Sequence, residues 1–177
     1  IPGGKKGRYR IMFVGARDHF VTLSLDPELK RGLLGHPLWL HGHDDLFRRS
    51  YIYVPRGTTG IHMGFFEPDR PQQRRFRLIG PRGGVVFEGA AGGGFRRERI
   101  AFENPGQYDD QILVLEVTTV GDPAGRPHDF MTHLQLTNRM FGRRGGVSAI
   151  LCPDEETARA LRGGAIYHDG DVFWHPF

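Results

Sequence analysis

The residues best able to hold a metal are His41-Gly42-His43-Asp44-Asp45, a dense group within a short stretch. On an extended segment alternate side chains point the same way, so His41 and His43 share a side, Asp44 can add an oxygen, and His62 is a candidate third nitrogen. A loop can carry the same residues simply because they are polar, and the segment before His62 is short. The economical reading is a polar loop entering a strand, with no metal assigned.

Other chemistry finds less support. Ser24, Ser50 and Ser148 lie in strand-like runs without a GxSxG elbow, and Cys152 precedes a proline in an apolar stretch. The glycine-rich runs at 89–94 and 142–146 lack the GxxxxGK[ST] order and the strand-to-helix placement of a phosphate cradle, so both are expected to be loops. Asp109-Asp110 falls in a loop and Glu155-Glu156 in a first helical turn, where solvation and the helix dipole account for them. His168-Asp169-Gly170-Asp171 reads as a hairpin turn. The sequence therefore assigns no catalytic residue and no cofactor.

The elements that would position these residues are strands. Gly 26 and Pro 12 are high for a chain of 177 residues with 38% hydrophobic and 25% charged residues, which implies many turns in an ordinary globular composition. Short apolar or alternating runs recur at the spacing of an all-β sandwich or barrel, at 8–14, 19–25, 38–41, 50–54, 60–66, 75–79, 85–88, 97–102, 111–120, 131–136 and 147–151. Ile61, Met63 and Phe65 share one face of their strand, leaving His62 on the other. Gly80-Pro81-Arg82-Gly83-Gly84 marks a hairpin, and Asn104-Pro105-Gly106 a tight turn. The run 111–120 is apolar on both faces, with Ile112, Leu113, Val114, Leu115 and Val117, so it belongs in the middle of a sheet and is covered on both sides.

Two segments break the pattern. Residues 26–35 read as a connector of one helical turn. Pro153-Asp154-Glu155-Glu156 opens a short helix, Arg159 and Arg162 sit near its negative end, and Gly163-Gly164 closes it. The tail after it holds Tyr167, Phe173, Trp174 and Phe177, too aromatic for a solvated terminus, so Phe173, Trp174 and Phe177 are the expected interaction residues. The expected organisation is a sandwich over 1–152, with helix and tail over 153–177 packed on the domain or on a partner.

Net charge is +4, and lysine occurs only at Lys5, Lys6 and Lys30. The arginine pairs Arg48-Arg49, Arg74-Arg75, Arg96-Arg97 and Arg143-Arg144 read as solvated strand ends, since no nucleic-acid module accompanies them. Nucleic acid is not an expected partner. No apolar run is long enough for a transmembrane segment, and the single cysteine, Cys152, reads as a small buried hydrophobe.

Three stretches resemble bacterial pre-peptidase C-terminal-like sandwich domains. They are the aromatic strand ending in Pro55-Arg56-Gly57, the hairpin from Phe76 through Gly80-Pro81-Arg82-Gly83 to Phe87, and Asn104-Pro105-Gly106 leading to Ile112-Leu113-Val114-Leu115-Glu116-Val117. The resemblance covers about residues 46–120 and departs at Tyr108-Asp109-Asp110-Gln111, where such domains often carry a tryptophan. It implies an accessory module of a secreted or periplasmic protein and carries no site across. A cupin comparison starts from the paired histidines and Pro55-Arg56-Gly57, but the glutamate expected after the histidines is absent.

The expected fold is a two-sheet, jelly-roll-like antiparallel β-sandwich with one short C-terminal helix. The expected function is non-catalytic: an accessory or interaction module for a protein, a carbohydrate or a neighbouring domain, extracellular or periplasmic. The alternatives are a structural subunit of a larger multi-protein complex, membrane-associated or free, and a cupin-type metal-dependent enzyme.

Overall fold

A computed structural model describes residues 26, 28–30, 32–34, 38–40, 48–67, 74–91, 94–119, 130–138, 146–162, 166–169 and 172–174. The expected strands at 8–14 and 19–25 lie outside these residues.

The chain folds into two main antiparallel sheets that pack face to face. One has four strands in the order β3-β8-β5-β6, where β3 is Arg49–Val54, β5 is Arg74–Ile79, β6 is Val85–Ala91 and β8 is Gln111–Thr119. The other is a seven-stranded sheet. It is built from β2 (Leu38–Leu40), β4 (Thr58–Glu67), β7 (Gly94–Ala101), β9 (Phe130–Asn138), β10 (Gly146–Ser148), β12 (Ile166–Asp169) and β13 (Val172–Trp174). A short ribbon joins β1 (Leu33–Leu34) to β11 (Ile150–Leu151). The all-β sandwich read from the sequence is the observed fold.

The core follows from period two. In β3 the residues Ser50, Ile52 and Val54 are buried, while Arg49, Tyr51 and Tyr53 turn the other way. Ile52, Phe76, Leu78, Leu113 and Leu115 from the four-stranded sheet meet Ile61, Met63 and Ile100 from the larger one in a single cluster. Arg99 faces out beside buried Ile100, and His62 is half-buried between buried Ile61 and Met63, as the alternation requires.

Strand β8 lies between β3 and β5, and a helix covers its second face at Ile112, while Val114 on the same face is half-buried. Ile112 packs outward against Cys152 and Ala158, with Tyr51, Tyr53 and Leu161 around them. Ala158 belongs to α1 (Glu155–Ala160), whose N-cap Asp154 accepts the Thr157 N–H at 2.6 Å. Where the helix stops, charges take over. Arg49 and Arg77 flank Glu116 at 3.3 and 3.7 Å, and Arg75 and Arg77 approach Glu88 at 3.3 and 3.6 Å. Each exposed pair of this kind contributes only about 0–1 kcal/mol, so the row keeps the face wet and in register while the core supplies the stability.

Two expectations are corrected. Within the run 89–94, read as a loop, residues 89–91 continue β6, with Gly89 opposite Phe76, and Gly94 begins β7. A Cβ on Gly89 would lie 2.8 Å from the Phe87 ring, so the glycine makes room for an aromatic ring folded over its own strand. The connector read over 26–35 gives way to strand at Leu33 and Leu34, after a single turn at its described start. Leu29 N–H donates to the Asp26 carbonyl at 3.0 Å, Asp26 Oδ1 accepts the Glu28 N–H at 3.0 Å, and the chain then enters β1. The Gly80–Gly84 hairpin stands as read, with Gly83 N–H donating to Gly80 O at 2.9 Å and Gly80 N–H to Gly84 O at 2.8 Å.

Leu115 is 3% exposed at the centre of this core. Leu115→Ala is expected to cost about 2–5 kcal/mol. An unchanged denaturation midpoint would contradict the central placement of β8.

Candidate functional site

The polar residues that the fold gathers most closely come from two turns at one end of the sandwich. The first joins β3 to β4: Thr58 N–H donates to Pro55 O at 3.3 Å, and Gly57 takes a left-handed backbone with φ 79°. The second lies in the connection from β7 to β8, where Gln107 N–H donates to Asn104 O at 3.2 Å and Gly106 has φ 75°. Each turn has a left-handed glycine at its third position, as a type II turn requires, and the second turn also has a proline, Pro105, at its second position.

Two aspartates tie these turns together. Asp109 Oδ1 accepts the Gly57 N–H at 3.0 Å. Asp110 Oδ1 accepts the Tyr53 hydroxyl at 2.5 Å, and Asp110 Oδ2 accepts from Arg56 Nε. Asp110 itself is left-handed, with φ 58°, and its N–H donates to Val54 O at 2.9 Å. Aspartate tolerates that backbone better than most residues, and these four bonds around the pair hold it.

The electrostatics follow from these contacts. The Tyr53 hydroxyl and then the Arg56 guanidinium hold the Asp110 carboxyl below the usual carboxylate range. Burial, then the neighbouring Asp110, pushes the Tyr53 phenol up, and burial does the same for Tyr108. A carboxylate kept ionised is a poor general acid, and a phenol kept protonated is a poor nucleophile. The arrangement is a brace between loops. Burial likewise pushes the Cys152 thiol up to about 12, which removes the thiolate a nucleophile would need.

Beside the brace, Thr59, Arg99, Phe102, Glu103, Asn104 and Pro105 line a hollow of about 310 Å³. Phe102 and Tyr108 form its near support, edge to face with ring centroids 4.7 Å apart.

Several sequence candidates fall elsewhere. His41, His43 and Asp44 lie outside the described residues. His62 sits mid-strand in β4, opposite Arg99 of β7 and Gln135 of β9. Among the described residues no group of three histidine, cysteine, aspartate or glutamate side chains is placed to hold a metal. Phe173 and Trp174 are in β13, in register with His168 and Tyr167, and Phe177 lies outside the described residues. Asp169 lies opposite Val172, and Gly170 and Asp171 of the expected turn lie outside the described residues. The chemical reading missed Tyr53, Arg56 and Arg99. Their signal was the two turn motifs, but nothing in the sequence says that Arg56 meets Asp110 across 54 positions.

No family model matches the chain, and no curated protein does. Among solved structures, one of infectious bursal disease virus, Gt strain, is 14% identical with a TM-score of 0.30, and the match covers 86% of this chain and 51% of that one. One for the Gx strain is 16% identical with a TM-score of 0.32, covering 86% and 50%. The chain spans about half the length of the solved chains it matches, and similarity at this level leaves function to the chain's own residues.

Because the folded Asp110 carboxyl titrates below its unfolded value, its contribution is present above the ordinary carboxylate range and is lost as pH falls through the folded value. Asp110→Asn suits the left-handed backbone but removes the charge. The difference in melting temperature between the native chain and this variant is expected to be largest at neutral pH and to shrink below about pH 4. A difference that stayed constant with pH would show that the charge does not brace the loops.

Proposed function

We propose that this chain is a non-catalytic β-sandwich module, an accessory or interaction domain that works by surface contact with a protein, a carbohydrate or a neighbouring domain. The observation that supports this most is how Asp110 is used. The aspartate at the densest polar cluster is held ionised between Tyr53 and Arg56, where it joins two loops and has no proton to give. The secreted or periplasmic setting belongs to the same proposal and comes from the resemblance to pre-peptidase C-terminal-like domains. No helix among the described residues is long and apolar enough to cross a membrane.

A second reading, a structural subunit of a larger complex, draws on β13. This strand carries Phe173 and Trp174 at the end of the large sheet as described, beside β12 alone. A strand edge with aromatic residues is a surface on which another chain can add.

Two measurements separate these readings from each other and from a metal enzyme. The purified chain is expected to hold no stoichiometric zinc, iron or manganese; metal lost on His43→Ala would overturn the non-catalytic proposal. Deleting residues 172–177 is expected to lower the melting temperature of the isolated chain if the tail is part of the module's own sheet. An unchanged melting temperature together with lost co-purification of an assembly would favour the subunit reading.

A further inference from the structure

The connection from β7 to β8 spends its polar groups unevenly. Toward the β3–β4 turn, Asp109 and Asp110 are engaged with Gly57, Arg56 and Tyr53. Around the adjoining hollow, Arg99, Glu103 and the Asn104 carboxamide have no ion pair or side-chain hydrogen bond among the described residues. The arginines on the outer face of the other sheet differ: Arg49, Arg75 and Arg77 all face a glutamate.

The frame of the hollow is nevertheless fixed. Phe102 N–H donates to Thr59 O at 2.9 Å, and Asn104 N–H to Gln107 Oε1 at 3.3 Å. Gln107 Nε2 in turn donates to the Tyr108 hydroxyl at 3.0 Å, beneath the Phe102 ring contact. A ligand would meet a surface already ordered, which lowers the entropy lost on binding.

The chemistry of the lining selects the ligand class. It offers one guanidinium and one carboxylate, so a simple anion meets Glu103 and a simple cation meets Arg99. A zwitterion would rely on ion pairs exposed to water, which contribute little. A neutral polyhydroxylated ring uses every polar group: hydroxyls donate to Glu103, accept from Arg99, and do both with Asn104, while the C–H face meets exposed Pro105, with Phe102 packed behind it against the core. The volume of about 310 Å³ lies at the small end of ligand sites, which suits one or two rings.

We infer that the hollow formed by Thr59, Arg99, Phe102, Glu103, Asn104 and Pro105 is a binding site for a neutral mono- or disaccharide. The inference rests on reading the chain as a non-catalytic binding module.

The test is an amide-resolved NMR titration of the whole chain with cellobiose, maltose, lactose and, as a charged control, inorganic phosphate. At least one disaccharide is expected to shift the amides of residues 59 and 99–104 at millimolar concentration. Arg99→Ala and Glu103→Ala are each expected to weaken that binding about tenfold, the equivalent of one charged hydrogen bond. Both side chains are exposed and unpaired, so the melting temperature should not move. The assignment is overturned if none of the three disaccharides shifts these amides, if phosphate alone does, or if the shifts persist in both variants. Hydrolysis of a bound disaccharide would leave the site standing and overturn the non-catalytic reading. A silent hollow beside a tail that still captures a partner would do the reverse.

Discussion

The structure depends on one strand being covered on both faces. β8 puts Leu113 and Leu115 into the space between the sheets and turns Ile112 outward beneath α1. Burying a leucine or isoleucine is worth about 1.5–3 kcal/mol, several times an exposed ion pair, so these contacts outweigh the arginine–glutamate row on the same sheet. The helix is only six residues long and would not persist in water alone. It forms because Ile112, Cys152 and Tyr51 need a cover and because Asp154 caps it; Lys30, 2.5 Å from Glu156, ties it to the start of the described chain.

The loop end inherits its order from that strand. Asp110 immediately precedes β8, and its N–H is bonded to Val54 at the end of β3, so the brace begins where the sheet stops. Position fixes the neighbours: once β3 and β8 pair from Arg49 opposite Glu116 to Val54 opposite Gln111, the turns that follow one and precede the other must lie side by side. Tyr53, Arg56, Asp109 and Asp110 then satisfy one another, and the remaining polar groups of the connection are left around the hollow.

Much of the fold was legible because strands announce themselves locally. The alternation at Ser50, Ile52 and Val54, and the two-faced apolar run at 111–120, encode which faces are covered. The turns at Gly80 and Asn104 were readable because proline and left-handed glycine have fixed places in them. Gly89 was misread since an isolated glycine run looks like a loop until the Phe87 ring above it is known. Leu33 and Leu34 were missed as a strand because two residues carry no period, and their partner Leu151 is distant in the chain. The brace and the hollow were illegible for a related reason: their members are ordinary polar turn residues, and only the pairing of β3 with β8 and of β4 with β7 brings them together.

The central claim is that the connection entering β8 is a rigid platform continuous with the sheet. Native-state hydrogen exchange tests it most directly, at the amides of Gln107, Asp109, Asp110 and Gln111, each of which donates a backbone hydrogen bond. The account predicts that these amides exchange with protection close to that of Leu113 and Leu115. Exchange at the rate of an open loop, with Leu113 and Leu115 still protected, would contradict it.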